Sequence, residues 1–324
     1  MSHSSSPVVF GLDVGGTKLA AAAITREGTI GKHMLVPTEA HDGGDVVLSR
    51  ICELAQQLKL AVDTEVVGIG VATLGIVEPD TGIVRFASSN LPGWTGTDLK
   101  ASLSEIFPEI PIQVANDGHA AALAEHHFGC GRGISEFAVL VLGTGVGGGV
   151  ISNGRLLCGA NGAAGRLGHL SIDLEGPRCS CGNRGCLELY VSGTAIAKAA
   201  REFQKSSRSI KHISTPVLTA QDVIRSAKED DPLARQILST AGEQLGHALM
   251  QIGRVFDPER VAIGGGMVSA GDLLLAPARR VVQEGTPPEL IPPVIELAQL
   301  GENASLIGAA TLGWEAVISH ERRC

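Results

Sequence analysis

Gly11-Leu-Asp13-Val-Gly15-Gly16-Thr17-Lys18 sets one acid at the end of an apolar run, then two glycines, a hydroxyl and a cation. Glycines let a backbone approach an anion closely, and successive amides in such a turn can cradle phosphate oxygens. An acid beside that cradle can hold Mg²⁺, usually through water, because Mg²⁺ keeps part of its hydration shell. Leu142-Gly143-Thr144-Gly145-Val146-Gly147-Gly148-Gly149 repeats the theme without the acid, and Gly264-Gly265-Gly266-Met267 follows a third apolar run. Singly, each of these reads equally well as a structural glycine hairpin; three in strand-to-turn context favour a phosphate ligand. No G-x-x-x-x-G-K-[ST] occurs, and the first loop is not a G-x-G-x-x-G that opens a helix.

Three of the seven cysteines crowd into Cys179-Ser-Cys181-Gly-Asn-Arg-Gly-Cys186, a spacing that suits a metal better than disulfides in a reducing compartment. Redox-active thiols are the alternative. Asn116-Asp117 precedes an Ala-rich segment, and both residue types are strong helix N-caps.

These groups need a scaffold, and the sequence supplies a repeating one. Residues 8–14 and 19–25 read as a hairpin around the first glycine turn, with a third strand over 30–36. Apolar residues at helical spacing over 46–58, a buried run at 66–72, a helix over 99–106, a strand over 112–115 and a helix over 118–127 complete a first α/β unit. The pattern restarts at Phe137 with a strand over 137–142, a turn over 143–149 and a strand at 150–151. Helices over 192–203, 219–228 and 232–253, a strand over 260–263 and a closing helix over 305–318 follow. Thr219-Ala-Gln-Asp222 is a capping box. The basic run over 198–212 reads as a solvated helix face and its loop. The boundary between the halves is expected near 116–130.

Composition narrows the partners. Lys+Arg 26 against Asp+Glu 34 leaves −8, which argues against nucleic-acid and anionic-membrane surfaces. Aromatics at 3% give few stacking platforms, whereas 42 glycines supply many turns. The longest apolar stretch, 137–152, is cut repeatedly by glycines and does not read as a membrane span. MSHSSSPVVF has no basic region followed by an apolar core, so a cytoplasmic chain is expected.

Seven stretches, GLDVGGTK (11–18), SSNLPGW (88–94), VANDGHAAALAE (114–125), LGTGVGGG (142–149), LGH (167–169), CSCGNRGCLE (179–188) and AIGGGM (262–267), together resemble the ROK family of sugar kinases, in its zinc-containing glucokinase-like branch. The resemblance spans nearly the whole chain. It implies an α/β, two-lobed actin-like ATPase (ribonuclease H-like) fold with a duplicated unit and a central cleft. The lobes are expected at 1–117, with the helix of about 305–324 packing back on it, and at 118–304, with a zinc loop over 169–188. It implies an ATP-dependent kinase acting on the 6-hydroxyl of glucose or a related hexose. An N-acetylmannosamine or N-acetylglucosamine kinase, and a catalytically weak sugar-binding regulator, are the alternatives. A homodimer or homotetramer is implied as well.

By the same resemblance Asp13 organises Mg²⁺ at ATP, with Gly15, Gly16, Thr17, Lys18, Thr144 and Gly145 along the phosphates and Gly265 and Gly266 at the adenosine. Gly75, Asn90, Asn116, Asp117, His169 and Glu188 match sugar-binding positions, and Asp117 matches the catalytic base. His169 joins Cys179, Cys181 and Cys186 in a Cys₃His set, enough for a closed structural Zn²⁺ site. Three departures fall on the acceptor side. Arg166 stands where the family carries a sugar-binding Glu, His119 where Asn is frequent, and Ala72-Thr73-Leu74-Gly75 lacks the usual proline. Arg166 donates but accepts nothing. Outward placement or pairing with an acid, an altered sugar preference, and loss of kinase activity are the three open outcomes.

Overall fold

The computed structural model describes residues 6–88, 90–205 and 218–322. The part of the basic run beyond Lys205 therefore lies outside the described residues; within it, Lys198 and Glu202 form an exposed i,i+4 pair.

Strands β1 (Val8–Val14), β2 (Lys18–Ile24) and β3 (Ile30–Pro37) form the expected antiparallel meander. Helix α1 (Gly44–Leu60) leads to β4 (Val66–Thr73), then a short pair β5 (Ile76–Val77) and β6 (Val84–Phe86), α2 (Leu99–Ile106), β7 (Ile112–Asn116) and α3 (Asp117–Phe128). β4 runs parallel to β1 and β7 parallel to β4, giving the order β3-β2-β1-β4-β7. The two-residue period of β1 sorts its side chains to opposite faces. Phe10, Leu12 and Val14 pack with Val47, Ile51, Leu54 and Leu58 of α1, while Val9 meets Leu306 and Ala310 of the C-terminal helix.

The second half contains β8 (Phe137–Leu142), β9 (Val146–Ser152), β10 (Arg155–Leu156), α4 (Glu188–Val191), α5 (Gly193–Lys205), α6 (Ala220–Lys228) and α7 (Pro232–Phe256). β11 (Arg260–Gly264), α8 (Asp272–Gly285), β12 (Val294–Leu297) and α9 (Ala304–Glu321) follow. Its sheet has the order β10-β9-β8-β11-β12, the same connectivity as the first: an antiparallel meander of three, then two parallel strands. The duplication expected from the restart at Phe137 is thus present in the topology. Thr219 and Asp222 form the expected capping box at α6.

One expected boundary is corrected. The turn over 143–149 is shorter, because β9 already begins at Val146 and takes in Gly147, Gly148 and Gly149. A Cβ at Gly148 would stand 2.8 Å from Val139 O and 3.1 Å from Leu167 Cβ, so the glycine serves close packing within the strand.

The described residues divide into two compact units. One gathers the chain up to Gly133, Leu156–Gly165 and the residues from Leu300 on; the other gathers Ile134–Arg155 and Arg166–Gln299. The expected division at 117/118 falls at the first residue of α3, which stays with the first unit. Gly308 of α9 explains this, since a Cβ there would lie 1.8 Å from Ala120 O of α3. Among the described residues no helix is long and apolar enough to cross a membrane.

Candidate functional site

In the first unit, parallel pairing brings three chain segments to one edge of the sheet. Asp13 is in register with Ala72, and Ala72 with Ala115, so the carboxyl ends of β1, β4 and β7 coincide. Ligands of open α/β sheets bind at that end. Asp13 sits there half-buried, and Ser305 Oγ donates to its Oδ1 at 2.9 Å. Burial pushes the Asp13 carboxyl up to about 6, against the Ser305 hydrogen bond and Lys18 and with the help of the Asp117 charge.

The following hairpin is held from behind. Gly15 N donates to Lys18 O (3.1 Å), and fully buried Thr38 donates its amide to Thr17 O (3.0 Å) and its hydroxyl to Gly15 O (2.7 Å). These bonds fix a turn whose Gly16, Thr17 and Lys18 are exposed. A Cβ at Gly16 would meet no protein atom within 4 Å. Open space over a rigid set of amides is what an anion needs. Lys18 Nζ forms an exposed pair with Glu302 at 3.1 Å.

Asn116 is the N-cap of α3, and Asp117 its first residue. Asn116 Oδ1 and Asp117 Oδ1 each accept from Gly118 N at 2.9 Å, and Asn116 Nδ2 donates to Gly75 O at 2.8 Å. Asn116 therefore fixes the Gly75 turn, while Asp117 is held at the sheet edge, close enough to Asp13 for its charge to be felt there. Asn90 lies exposed in the turn that ends at fully buried Trp94, whose Nε1 donates to Thr73 Oγ1 at 2.9 Å. That bond ties the Asn90 loop to the end of β4. His119 is buried, and its Nε2 donates to Ala164 O at 2.7 Å. It fastens the 156–165 segment to α3, a structural use that explains a histidine at this position.

In the second unit, β8 and β11 also run parallel, with Val141 in register with Gly264. The turns at 143–145 and 264–266 thus emerge at one sheet edge. The first is clamped by the start of α5: Gly193 N donates to Gly143 O (2.8 Å) and Thr194 Oγ1 to Thr144 O (2.8 Å). Thr144 itself is exposed. Glu188 Oε2 accepts from Val146 N at 2.9 Å, and a Cβ at Gly145 would lie 2.5 Å from that same oxygen. Glycine at 145 is what admits the carboxylate. The Gly265-Gly266 turn is held by Gln221, whose Nε2 donates to Gly266 O at 3.1 Å, and by Ser269 Oγ, which donates to the same oxygen at 2.8 Å.

The donor atoms of His169, Cys179, Cys181 and Cys186 all lie within 4.8 Å of one another. Cys179 Sγ stands 3.6 Å from His169 Nδ1, and Cys181 Sγ 3.6 Å from Cys186 Sγ. A tetrahedral Zn²⁺ with bonds of about 2.3 Å to sulfur and 2.0 Å to nitrogen spaces its ligands by about 3.5–3.8 Å. The donor set therefore fits Zn²⁺. The loop is held by its own backbone: Cys179 N donates to Asn183 O (2.8 Å), Arg178 and Arg184 form a β-bridge, and Leu187 N donates to Leu170 O (2.9 Å). Glu188 follows directly. Burial first, then the adjacent thiols, push the Cys186 thiol above its ordinary value. Burial and the Arg166 charge hold His169 below its own, against Glu188. At Cys181 burial is outweighed by the Asn183 amide, the two other thiols and Arg166, so that thiol lies below its usual value. Arg166, half-buried, thus lies close enough to the cluster to act on two of its members.

Sequence reasoning missed Thr38, Ser305 and Gln221. Each acts through a contact distant in sequence, and no motif assigns that contact; Gln221 lies within the α6 capping box, whose pattern says nothing of its side chain.

The sequence pattern of the ROK family matches residues 9–315. The glucokinase of Halalkalibacterium halodurans is 35% identical over 314 residues, covering 94% of this chain and 93% of its own. The glucokinase of Thermotoga maritima is 35% identical over 309 residues, covering 94% and 96%. Among solved structures, the ROK family glucokinase from Streptomyces griseus in complex with glucose and AMPPNP superposes with a TM-score of 0.83 at 29% identity, covering 95% of this chain and 99% of that one. The fold is accordingly the actin-like ATPase fold of ROK sugar kinases. By its sequence pattern, its relatives and its fold, this chain belongs to the ROK family.

Proposed function

We propose that the chain is an ATP-dependent hexose kinase of the glucokinase type, which transfers the γ-phosphoryl group to the 6-hydroxyl of glucose or a related hexose. The observation that carries this reading is the pair of carboxylates, Asp13 and Asp117, at the edge of the first sheet beside an open, backbone-clamped glycine hairpin. The glucokinase relatives and the glucose- and AMPPNP-bound neighbour support it.

Phosphoryl transfer asks the protein to align the acceptor, neutralise phosphate charge and accept one proton. Asp117 accepts the proton of the 6-hydroxyl as that oxygen bonds to the γ-phosphorus and the bond to the ADP oxygen breaks. Its Oδ1, tethered to Gly118 N, holds the carboxylate in place. The Gly15–Lys18 hairpin and the Thr144-Gly145 turn offer amides to phosphate oxygens, and Gly265-Gly266 borders the adenosine. Mg²⁺, when bound, neutralises the β- and γ-phosphate oxygens; half-buried Asp13 is the group that would hold it, through water.

Asn90, His169 and Glu188 contact sugar hydroxyls in this reading, with Gly75 and Asn116 shaping the pocket wall. His169 Nδ1 and the three thiolates would hold Zn²⁺ as a structural ion, fixing the loop that carries Glu188. Cys186→Ser is expected to lower zinc content from one per chain to well below half, measured by elemental analysis. It should raise KM for the sugar by about tenfold or more, with KM for MgATP within about threefold. The homodimer or homotetramer implied by the family pattern belongs to this reading, and light scattering decides it.

The test is coupled ADP release over a panel of glucose, mannose, glucosamine, N-acetylmannosamine and N-acetylglucosamine. Turnover with glucose or mannose is expected; turnover confined to the N-acetyl sugars replaces the acceptor, and none on any sugar removes the kinase reading. Arg166→Glu belongs in the same panel. Because the Arg166 charge acts on His169 and Cys181, its loss is expected to leave glucose kcat/KM within about threefold while zinc is lost faster to a chelator. A large gain in glucose kcat/KM would instead place residue 166 at the sugar.

A further inference from the structure

We infer that Ser305 is the positioning residue that aims the Asp13 carboxylate, and that α9 is seated against β1 in the way this contact requires. The inference rests on the reading of Asp13 as the carboxylate that serves MgATP.

The geometry follows from the period of β1. Val9, Gly11 and Asp13 share one face of the strand, and that face carries α9. Gly11 brings the helix close, since a Cβ there would lie 2.5 Å from Leu306 O. A helix backbone held this near places the side chain of Ser305, in the first turn of α9, within hydrogen-bond reach of the strand's next residue on that face. Ser305 Oγ donates to Asp13 Oδ1 at 2.9 Å, across 292 positions of sequence.

The start of α9 is itself pinned. Fully buried Glu125 of α3 accepts from Leu300 N at 2.8 Å, and Glu302 pairs with Lys18 at 3.1 Å. The buried Glu125 carboxylate thus fastens the segment before Ser305 to α3, and the exposed Lys18 pair adds a weak link to the phosphate hairpin. Asp13 otherwise has one rotatable carboxylate at a strand end, and the Ser305 hydroxyl selects one orientation of it. An aspartate left to rotate would still be present but aimed less often, which weakens the nucleotide side without touching the sugar side.

Ser305→Ala tests this, with Ser305→Thr as the rescue that keeps the hydroxyl. Removing one hydrogen bond to a carboxylate is expected to raise KM for MgATP, and the Kd of MgATP by titration calorimetry, about three- to tenfold. KM for the sugar should stay within about twofold. Ser305→Thr should return the nucleotide constants to within about twofold of the parent. A Ser305→Ala protein with unchanged MgATP affinity, or one in which both substrates weaken together with a fall in melting temperature that Thr does not restore, overturns the inference and leaves the kinase reading standing. A parent protein that binds no MgATP overturns both.

Discussion

Asp117→Asn is expected to fold normally and to lose about 10²- to 10⁴-fold in kcat, the usual range for a general base. The substitution separates two roles that the wild-type residue combines. Asparagine has the same shape, caps helices as well as aspartate does, and keeps an oxygen to accept from Gly118 N, while Asn116 continues as the N-cap. A residue that only organised the start of α3 would therefore tolerate this change. A residue that takes a proton would not, because the amide has no basic oxygen. KM for MgATP should stay within about threefold. Asp117→Ala would add the lost cap contact and lower the melting temperature as well. Steady-state ADP release and a thermal scan on the two variants are sufficient, and an Asp117→Asn enzyme with parental kcat would remove the base assignment.

The parts of the fold that sequence made legible are those whose causes are local. The β1–β2 hairpin is announced by apolar runs flanking Gly15-Gly16, the α6 start by Thr219 and Asp222, and α1 by apolar residues at helical spacing. The elements that escaped have mixed local signals. α8 opens after Gly271 without a side-chain cap and carries Pro277 inside it, so a breaker stands at its start and another within. β12 is four residues long, follows Pro292-Pro293, and takes its place from pairing with β11. α4 is a single turn, and β5 and β6 pair over only a few residues.

The candidate site divides in the same way. The motif residues stood out because glycine, acid and thiol types at short spacing are unusual. What makes them work did not. Gly147 to Gly149 read as more turn, yet the need for a small residue at 148 comes from Leu167 packing across the strand. Thr38 looks like any threonine after a strand, and only the fold reveals its two bonds to the hairpin. The raised pKa of Asp13 has no sequence signal, because the burial and the Asp117 charge that raise it, and the Ser305 hydrogen bond that opposes them, all act through tertiary packing.

That raised value makes Asp13→Asn the second large effect, with activity and stability moving in opposite directions. In the unfolded chain the Asp13 carboxyl titrates near 3.8, and in the folded chain at about 6. Between those values the folded protein keeps a proton that the unfolded one has released, so stability falls as pH rises through this window. Above about pH 6 the full cost applies, at most about 3 kcal/mol for a shift of this size. Asparagine has no charge to desolvate, and its oxygen can still accept from Ser305 Oγ. Without Mg²⁺ and nucleotide, Asp13→Asn is therefore expected to melt a few degrees above the parent at pH 7.5 and at nearly the same temperature at pH 4. Adding MgATP should raise the parent's melting temperature and leave the variant's almost unmoved, because ligand binding stabilises only a state that can bind. Turnover should fall by about 10²-fold or more. A melting difference that does not change between pH 4 and pH 7.5 would show that the carboxylate is not held at an energetic disadvantage. Normal MgATP stabilisation of the variant would show that it does not serve the nucleotide.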